Sequence, residues 1–275
     1  MMIPGRSLKK LLYGVLIAII LGIWVGPFVW MIMSSFKPKQ VIIANELILL
    51  FTPSWEHYRL IFSKYNYWVY ARNSFIVAVL TTFVTVSAAT LTAYSISRYR
   101  TGGRLLELWI MFTRMLPPAV LLIPLFLILR TAGLINTVTG LIIADTTFIL
   151  SFSIWILRGF FDEVPIELEE AATCDGATRL QNLFYIVFPI AKPGITATVI
   201  FSLIFAWNEY LFAMVFAAAP KSKTLPAAAN DFITGYAINW GPVFASGCLI
   251  ALPVFVVSIL LQRYIVRGLT LGAFK

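Results

Sequence analysis

Residues 165–193 read PIELEEAATCDGATRLQNLFYIVFPIAKP, a polar, charge-bearing insert between two apolar runs. Pro165 suits a first helical position, where its missing N–H would be unpaired anyway. Glu167, Glu169 and Glu170 follow in the opening turns, where carboxylates meet the positive end of the helix dipole. Asp175-Gly176 predicts the stop, because glycine adopts the left-handed conformation that helix ends favour. Thr178 and Gln181 have capping-box spacing, so a second helix is expected to start there. On it Leu180, Leu183, Phe184, Val187 and Phe188 share one face, and Pro189 is expected to close it. The expected product is a rigid elbow whose small Ala171, Ala172 and Gly176 permit close approach by another protein.

The runs on either side set the class. The chain is 60% hydrophobic and 12% charged, with a mean hydropathy of +0.89, outside the range of soluble domains. Its net charge of +9 is scattered between apolar runs rather than gathered on one face. Membrane topology explains that pattern, and a nucleic-acid partner is not expected. Cys174 and Cys248 lack C-x-x-C spacing, and His57 is the only histidine, so neither a metal site nor a Ser/His/Asp triad is expected. There is no G-x-x-x-x-G-K-[ST] phosphate loop; if ATP drives this protein, another chain binds it. No enzymatic chemistry and no bound cofactor are expected of the chain itself.

A membrane span needs about 20 mainly apolar residues. Six are expected, at about 11–36, 73–97, 105–129, 140–157, 194–216 and 243–265, in a single transmembrane domain over 1–275. The first run is too long for a cleaved signal peptide and lacks a small-x-small site. The elbow lies in the loop 158–193, and 217–242 is expected as an outer loop. Basic residues gather at the N-terminus, at 98–104, around the elbow (Arg158, Arg179, Lys192) and at the C-terminus. That side, with both termini, is therefore read as cytoplasmic; Lys37, Lys39, Arg59 and Lys64 in the first outer loop weaken the rule without reversing it. The expected fold is all-α: a polytopic membrane protein of six transmembrane helices with a cytoplasmic helix-turn-helix elbow between helices 4 and 5.

Glu170-Ala171-Ala172, Asp175-Gly176-Ala177, Ile186, Pro189 and Pro193 resemble the EAA signature of ATP-binding-cassette (ABC) importer permeases. Pro124-Leu125-Phe126, Gly140-Leu141-Ile142, Arg158-Gly159-Phe160-Phe161, Trp207-Asn208-Glu209-Tyr210 and Thr224-Leu225-Pro226 look like the carbohydrate-uptake branch, the smaller six-helix permease of maltose-type transporters. The resemblance implies that the elbow, through Glu170, Ala171, Ala172, Asp175, Gly176, Ala177 and Pro189, docks into a separate ATPase. It also implies a homologous second permease, two ATPase subunits carrying ATP and Mg, an external solute-binding protein, and residence in the bacterial inner membrane among its lipids. The implied function is import of a sugar or oligosaccharide by ATP-driven alternating access. A polyol or glycerol-phosphate-type cargo is the first alternative, although an anionic cargo should leave more basic residues in the pathway than Arg114. An ion-coupled secondary transporter is the second, and it should show more ionisable residues at mid-membrane. The sequence departs from the family at Ser151-Phe152 and matches it only patchily over 217–242.

Glu209 lies in an expected span, where a lone carboxylate costs about 2.5–3.5 kcal/mol. With Asn208 it either lines the substrate pathway or makes an interhelical hydrogen bond near the outer interface. Trp207, Tyr210, Phe212 and Trp240 have planes that suit sugar rings, and aromatic residues also gather at membrane interfaces. Arg114 is expected to snorkel to the inner interface. Pro117-Pro118 is expected to bend the third span. Asp145 is expected to face a neighbouring helix or the cavity, and the tail from Thr270 to Lys275 to reach the ATPase, as the resemblance implies.

Overall fold

The computed structural model describes residues 5–44 and 48–271, with side chains described over 12–44 and 48–260. The expected tail contact from Thr270 to Lys275 lies outside the described side chains. The chain runs α1 Gly5–Ser35, α2 Lys39–Ile43, α3 Glu56–Lys64, α4 Tyr67–Tyr99, α5 Gly103–Met115, α6 Pro118–Thr131, α7 Val138–Asp162 and α8 Ile166–Cys174. It continues with α9 Arg179–Ile190, α10 Lys192–Asn208, α11 Leu211–Phe216, α12 Leu225–Ala229 and α13 Trp240–Leu271. Among the described residues the only β pairing is an isolated bridge between Ile233 and Ile238, so the fold is all-α.

Among the described residues four helices, α1, α4, α7 and α13, are long and apolar enough to cross a membrane. Two bent pairs, α5/α6 at 102° and α9/α10 at 83°, bring the number to six if each is one span. The third expected span is therefore not a bent rod but two helices meeting at a corner. Leu116 is extended (φ −67°, ψ 128°) ahead of Pro117, as a residue before proline prefers, and two successive prolines supply no N–H to carry the helix through. The fifth expected span likewise stops early, at Asn208, because Glu209 is extended (φ −62°, ψ 125°).

Two compact units make up the chain, Met1–Asn66 with Ala229–Ala251, and Tyr67–Ala228 with Leu252–Lys275. In the second, α4, α7 and α10 form the core. Ala89 and Ala93 of α4 are wholly buried, and small residues of this kind let membrane helices approach backbone to backbone. Where α10 crosses α7, a Cβ on Gly194 would run into the Phe160 ring, so only glycine permits that approach. Two buried hydroxyls on α4 are satisfied within the helix, Thr82 donating to the Ala78 carbonyl and Thr90 to that of Val86, both at 2.7 Å, whereas those of Thr81 and Thr85 have no hydrogen-bond partner among the described residues. The start of α4 holds the chain ahead of α12: Asn73 Nδ2 donates to the carbonyls of Lys221 and Lys223, each at 3.0 Å, and Ser74 Oγ accepts from the Leu225 N–H at 2.8 Å.

In the first unit, Phe36, Trp55 and Tyr58 form an aromatic cluster with centroids 4.9–5.5 Å apart. Tyr58 and Ser35 share a 2.9 Å hydrogen bond, and His57 Nε2 donates to the Lys37 carbonyl at 2.9 Å. Tyr65 packs edge-on against Phe232 at 4.8 Å, which ties α3 to the 230–239 loop.

Candidate functional site

The elbow is built as a pair of helices with a glycine corner. Its first helix begins one residue later than expected: Pro165 is extended (φ −57°, ψ 130°) and Ile166 opens α8. The stop is a Schellman motif, with the Ala177 N–H donating to the Ala172 carbonyl at 2.9 Å and the Gly176 N–H to that of Thr173 at 3.0 Å. Gly176 takes φ +91°, and a Cβ placed there meets nothing within 4 Å. A larger residue would therefore be opposed by the backbone conformation rather than by crowding inside this chain. The capping box then starts α9: Thr178 N–H donates to Gln181 Oε1 at 2.7 Å and Gln181 N–H to Thr178 Oγ1 at 3.4 Å.

Two expectations for α9 fail. Pro189 does not close it; the helix runs on to Ile190. A π turn over Asn182–Val187, with the Phe188 N–H reaching back to the Leu183 carbonyl, widens the helix just ahead of the proline. Nor do the five apolar residues share one environment. Leu183 and Val187 are fully buried, whereas Leu180 is 59% and Phe184 50% exposed. The widened turn divides the apolar surface between the core and the outside, and Tyr185, 78% exposed, joins the outer part.

Sequence reasoning missed the residue that fixes the elbow to the bundle. Glu170 is exposed, but its neighbour Glu169 is buried, ion-paired through Oε1 to Arg98 Nε while Oε2 accepts from Tyr94 Oη at 2.6 Å. Arg98 also donates from Nη2 to the Val164 carbonyl at 2.8 Å, and Ser97 donates to Asp162 Oδ1 at 2.5 Å. The end of α4 thus clasps both the end of α7 and the elbow. Asn182 Nδ2 closes the inner side of the corner, donating to the Glu169 carbonyl at 3.2 Å and to Thr173 Oγ1 at 2.9 Å. The outward rim carries Glu167, Glu170, Ala171, Cys174, Asp175 and Gly176, all exposed, while Ala172 and Ala177 are half-buried and Pro189 is exposed on α9.

The expected pathway residues are differently placed. Among the described residues Glu209 makes no bond to another span: its Oε1 accepts from the Phe212 N–H at 2.7 Å and its Oε2 from the Ala213 N–H at 2.9 Å, capping α11 beyond the break. Asn208 turns back on its own helix, donating to the Ile204 carbonyl at 2.8 Å. Trp207 is half-buried against Ala78, Ile149 and Ala206, Tyr210 is 38% exposed and Phe212 is buried. Trp240 belongs to the other unit, stacked on Phe244 at 5.7 Å and 48% exposed. Asp145 is 1% exposed, and neither carboxylate oxygen has a hydrogen-bond partner among the described residues. Arg114 is exposed and lies over the rings of Trp155 (4.2 Å) and Phe152 (5.1 Å) on α7. At the Ser151-Phe152 departure α7 runs unbroken, with Ser151 hydrogen-bonded to Thr113 at 2.9 Å.

Residues 85–271 match the family described as "Binding-protein-dependent transport system inner membrane component". The chain is 35% identical over 253 residues to the diacetylchitobiose uptake system permease protein DasC of Streptomyces coelicolor, covering 91% of this chain and 92% of that protein. It is 34% identical over 253 residues to the trehalose/maltose transport system permease protein MalG of Thermococcus litoralis, covering 90% and 91%. Its fold is similar, with a TM-score of 0.80 and 22% identity over 96% of this chain and 99% of the other, to a chain of a bacterial ABC transporter involved in the import of the acidic polysaccharide alginate. The chain belongs to the family of inner membrane components of binding-protein-dependent transport systems.

Proposed function

We propose that this permease moves a sugar or oligosaccharide inward by ATP-driven alternating access, and that its elbow receives the force of ATP binding and hydrolysis on a separate ATPase. One observation carries the coupling role: the inner side of the elbow is clamped by the buried Glu169–Arg98 pair and the Tyr94 hydrogen bond, while its outer side offers Glu170, Cys174, Leu180, Phe184 and Tyr185. A push on such a part passes to α4 and α7 rather than dissipating at a loose loop. Glu170, Ala171, Ala172, Asp175, Gly176, Ala177 and Pro189 form the docking face in this reading. Two copies of the ATPase, holding ATP and Mg, sit on the cytoplasmic side with both termini of this chain. A homologous second permease completes the pathway, and an external solute-binding protein delivers the cargo. The saccharide class is supported by the names of the relatives, which import diacetylchitobiose and trehalose or maltose. Trp207, Asn208, Tyr210 and Trp240 are proposed to line the route, and Glu209 to hold its geometry by capping α11.

Affinity purification in mild detergent followed by reconstitution tests this reading. The expected result is a second permease and an ATPase co-purifying, with uptake of labelled disaccharide that requires ATP and binding protein. A chain that purifies alone and takes up sugar on an ion gradient would contradict it.

A further inference from the structure

Lys37 follows the last turn of α1 and is only 5% exposed. No carboxylate among the described residues lies within ion-pair distance of its ammonium. Among the described residues, the rings of Trp30 at 4.3 Å and Phe51 at 5.6 Å to the centroids face the ammonium. Its backbone is fixed from both sides, the N–H donating to the Ser34 carbonyl at 3.3 Å and the carbonyl accepting from His57 at 2.9 Å. A buried cation without an anion is costly, and ring faces offset only part of that cost.

Lys37 borders an open cavity of about 420 Å³, whose walls include Ser34, Trp30, Trp240 and Phe244. The cavity lies at the end of the apolar run Leu12–Ser35, none of whose most apolar window is covered by the rest of the chain. A run of that length and hydropathy belongs within the bilayer, and tryptophans at its end belong to the boundary between hydrocarbon and headgroups. We propose that this cavity binds the phosphate of an anionic phospholipid, with the Lys37 ammonium as its counter-charge, the Ser34 hydroxyl beside it and the two tryptophans flanking the glycerol. The occupant is lipid rather than cargo because a neutral saccharide gives no return for a buried charge, and the apolar wall continues into the exposed face of α1.

The test is native mass spectrometry of the delipidated full complex titrated with phosphatidylglycerol. Lys37→Met is expected to weaken retention at least about fivefold, the factor one basic residue contributes near an anionic surface. Lys37→Arg and Lys39→Met, the latter altering an exposed neighbour, are expected to retain it. Equal retention by Lys37→Met would overturn the proposal. So would displacement of the lipid by inorganic phosphate, which would make the site one for free anions, or protection of Lys37 by a carboxylate of the second permease. Should Lys37→Met not assemble, quenching of Trp30 by brominated phosphatidylglycerol in vesicles, taken as the difference from Trp30→Phe, gives the answer. Quenching no greater than with brominated phosphatidylcholine would overturn it.

Discussion

Glu169 and Glu170 are adjacent carboxylates with opposite duties. Glu169 is buried in an ion pair with Arg98, and removing one partner of such a pair leaves an uncompensated charge, at a cost of about 3–5 kcal/mol. Glu169→Ala should therefore lower the melting midpoint of the purified protein markedly in a thermal scan. Glu170→Ala should leave the midpoint where it is and lower ATP-driven uptake. Gly176 is constrained by its backbone conformation, since φ is +91° and nothing crowds the position. Gly176→Asn should be tolerated, whereas Gly176→Val carries about 1–3 kcal/mol of backbone strain. The valine variant should hydrolyse ATP with little uptake, read by comparing the two rates in the same proteoliposomes. The glycine corner and the capping box were legible because each is local, set by residues within five positions of one another. Which glutamate turns inward was not, because Arg98 and Tyr94 lie 71 and 75 residues away along the chain.

Among the helices, the break after α10 is held by a side chain rather than by a proline. Glu209 caps α11 with two backbone hydrogen bonds, and losing a cap of this kind costs about 0.5–2 kcal/mol. Glu209→Ala should accelerate hydrogen exchange at the amides of Phe212 and Ala213 with the complex still assembled; unchanged exchange would show that the cap is dispensable. Gly194→Leu should separate α10 from α7, because even a Cβ there meets the Phe160 ring. Loss of the assembled complex on size-exclusion chromatography is the expected result. The sequence located the discontinuity at Pro117-Pro118 but not its form, and it did not show the break at Asn208-Glu209, which falls inside the expected fifth span. Prolines announce missing donors, while the 102° corner depends on how α6 packs, through Leu121, Leu122, Leu125 and Phe126, against the core it shares with α7 and α11. The same limit explains α9, where a 3.6-residue period predicted one apolar face and a π turn gave two.

Across the whole molecule, hydropathy was a sufficient guide to class, since long uncharged runs have few uses outside a bilayer. The family followed from the elbow, whose spacing couples a glycine corner to small residues and carboxylates. The route for cargo was least legible. Trp207, Asn208 and Tyr210 share one segment whose Glu209 turned out to serve the backbone, and Trp240 belongs to the other unit. The exposed rim of the elbow is proposed as the docking face for the ATPase. Cys174 sits on that rim with its side chain exposed and provides the probe. In a Cys248→Ser background, the rate of Cys174 modification by a polar maleimide should be fast for the permease pair stripped of its ATPase. It should be strongly slowed in the full complex and restored when the ATPase is removed again. Equal rates in both states would contradict the claim and leave the elbow without a role in coupling.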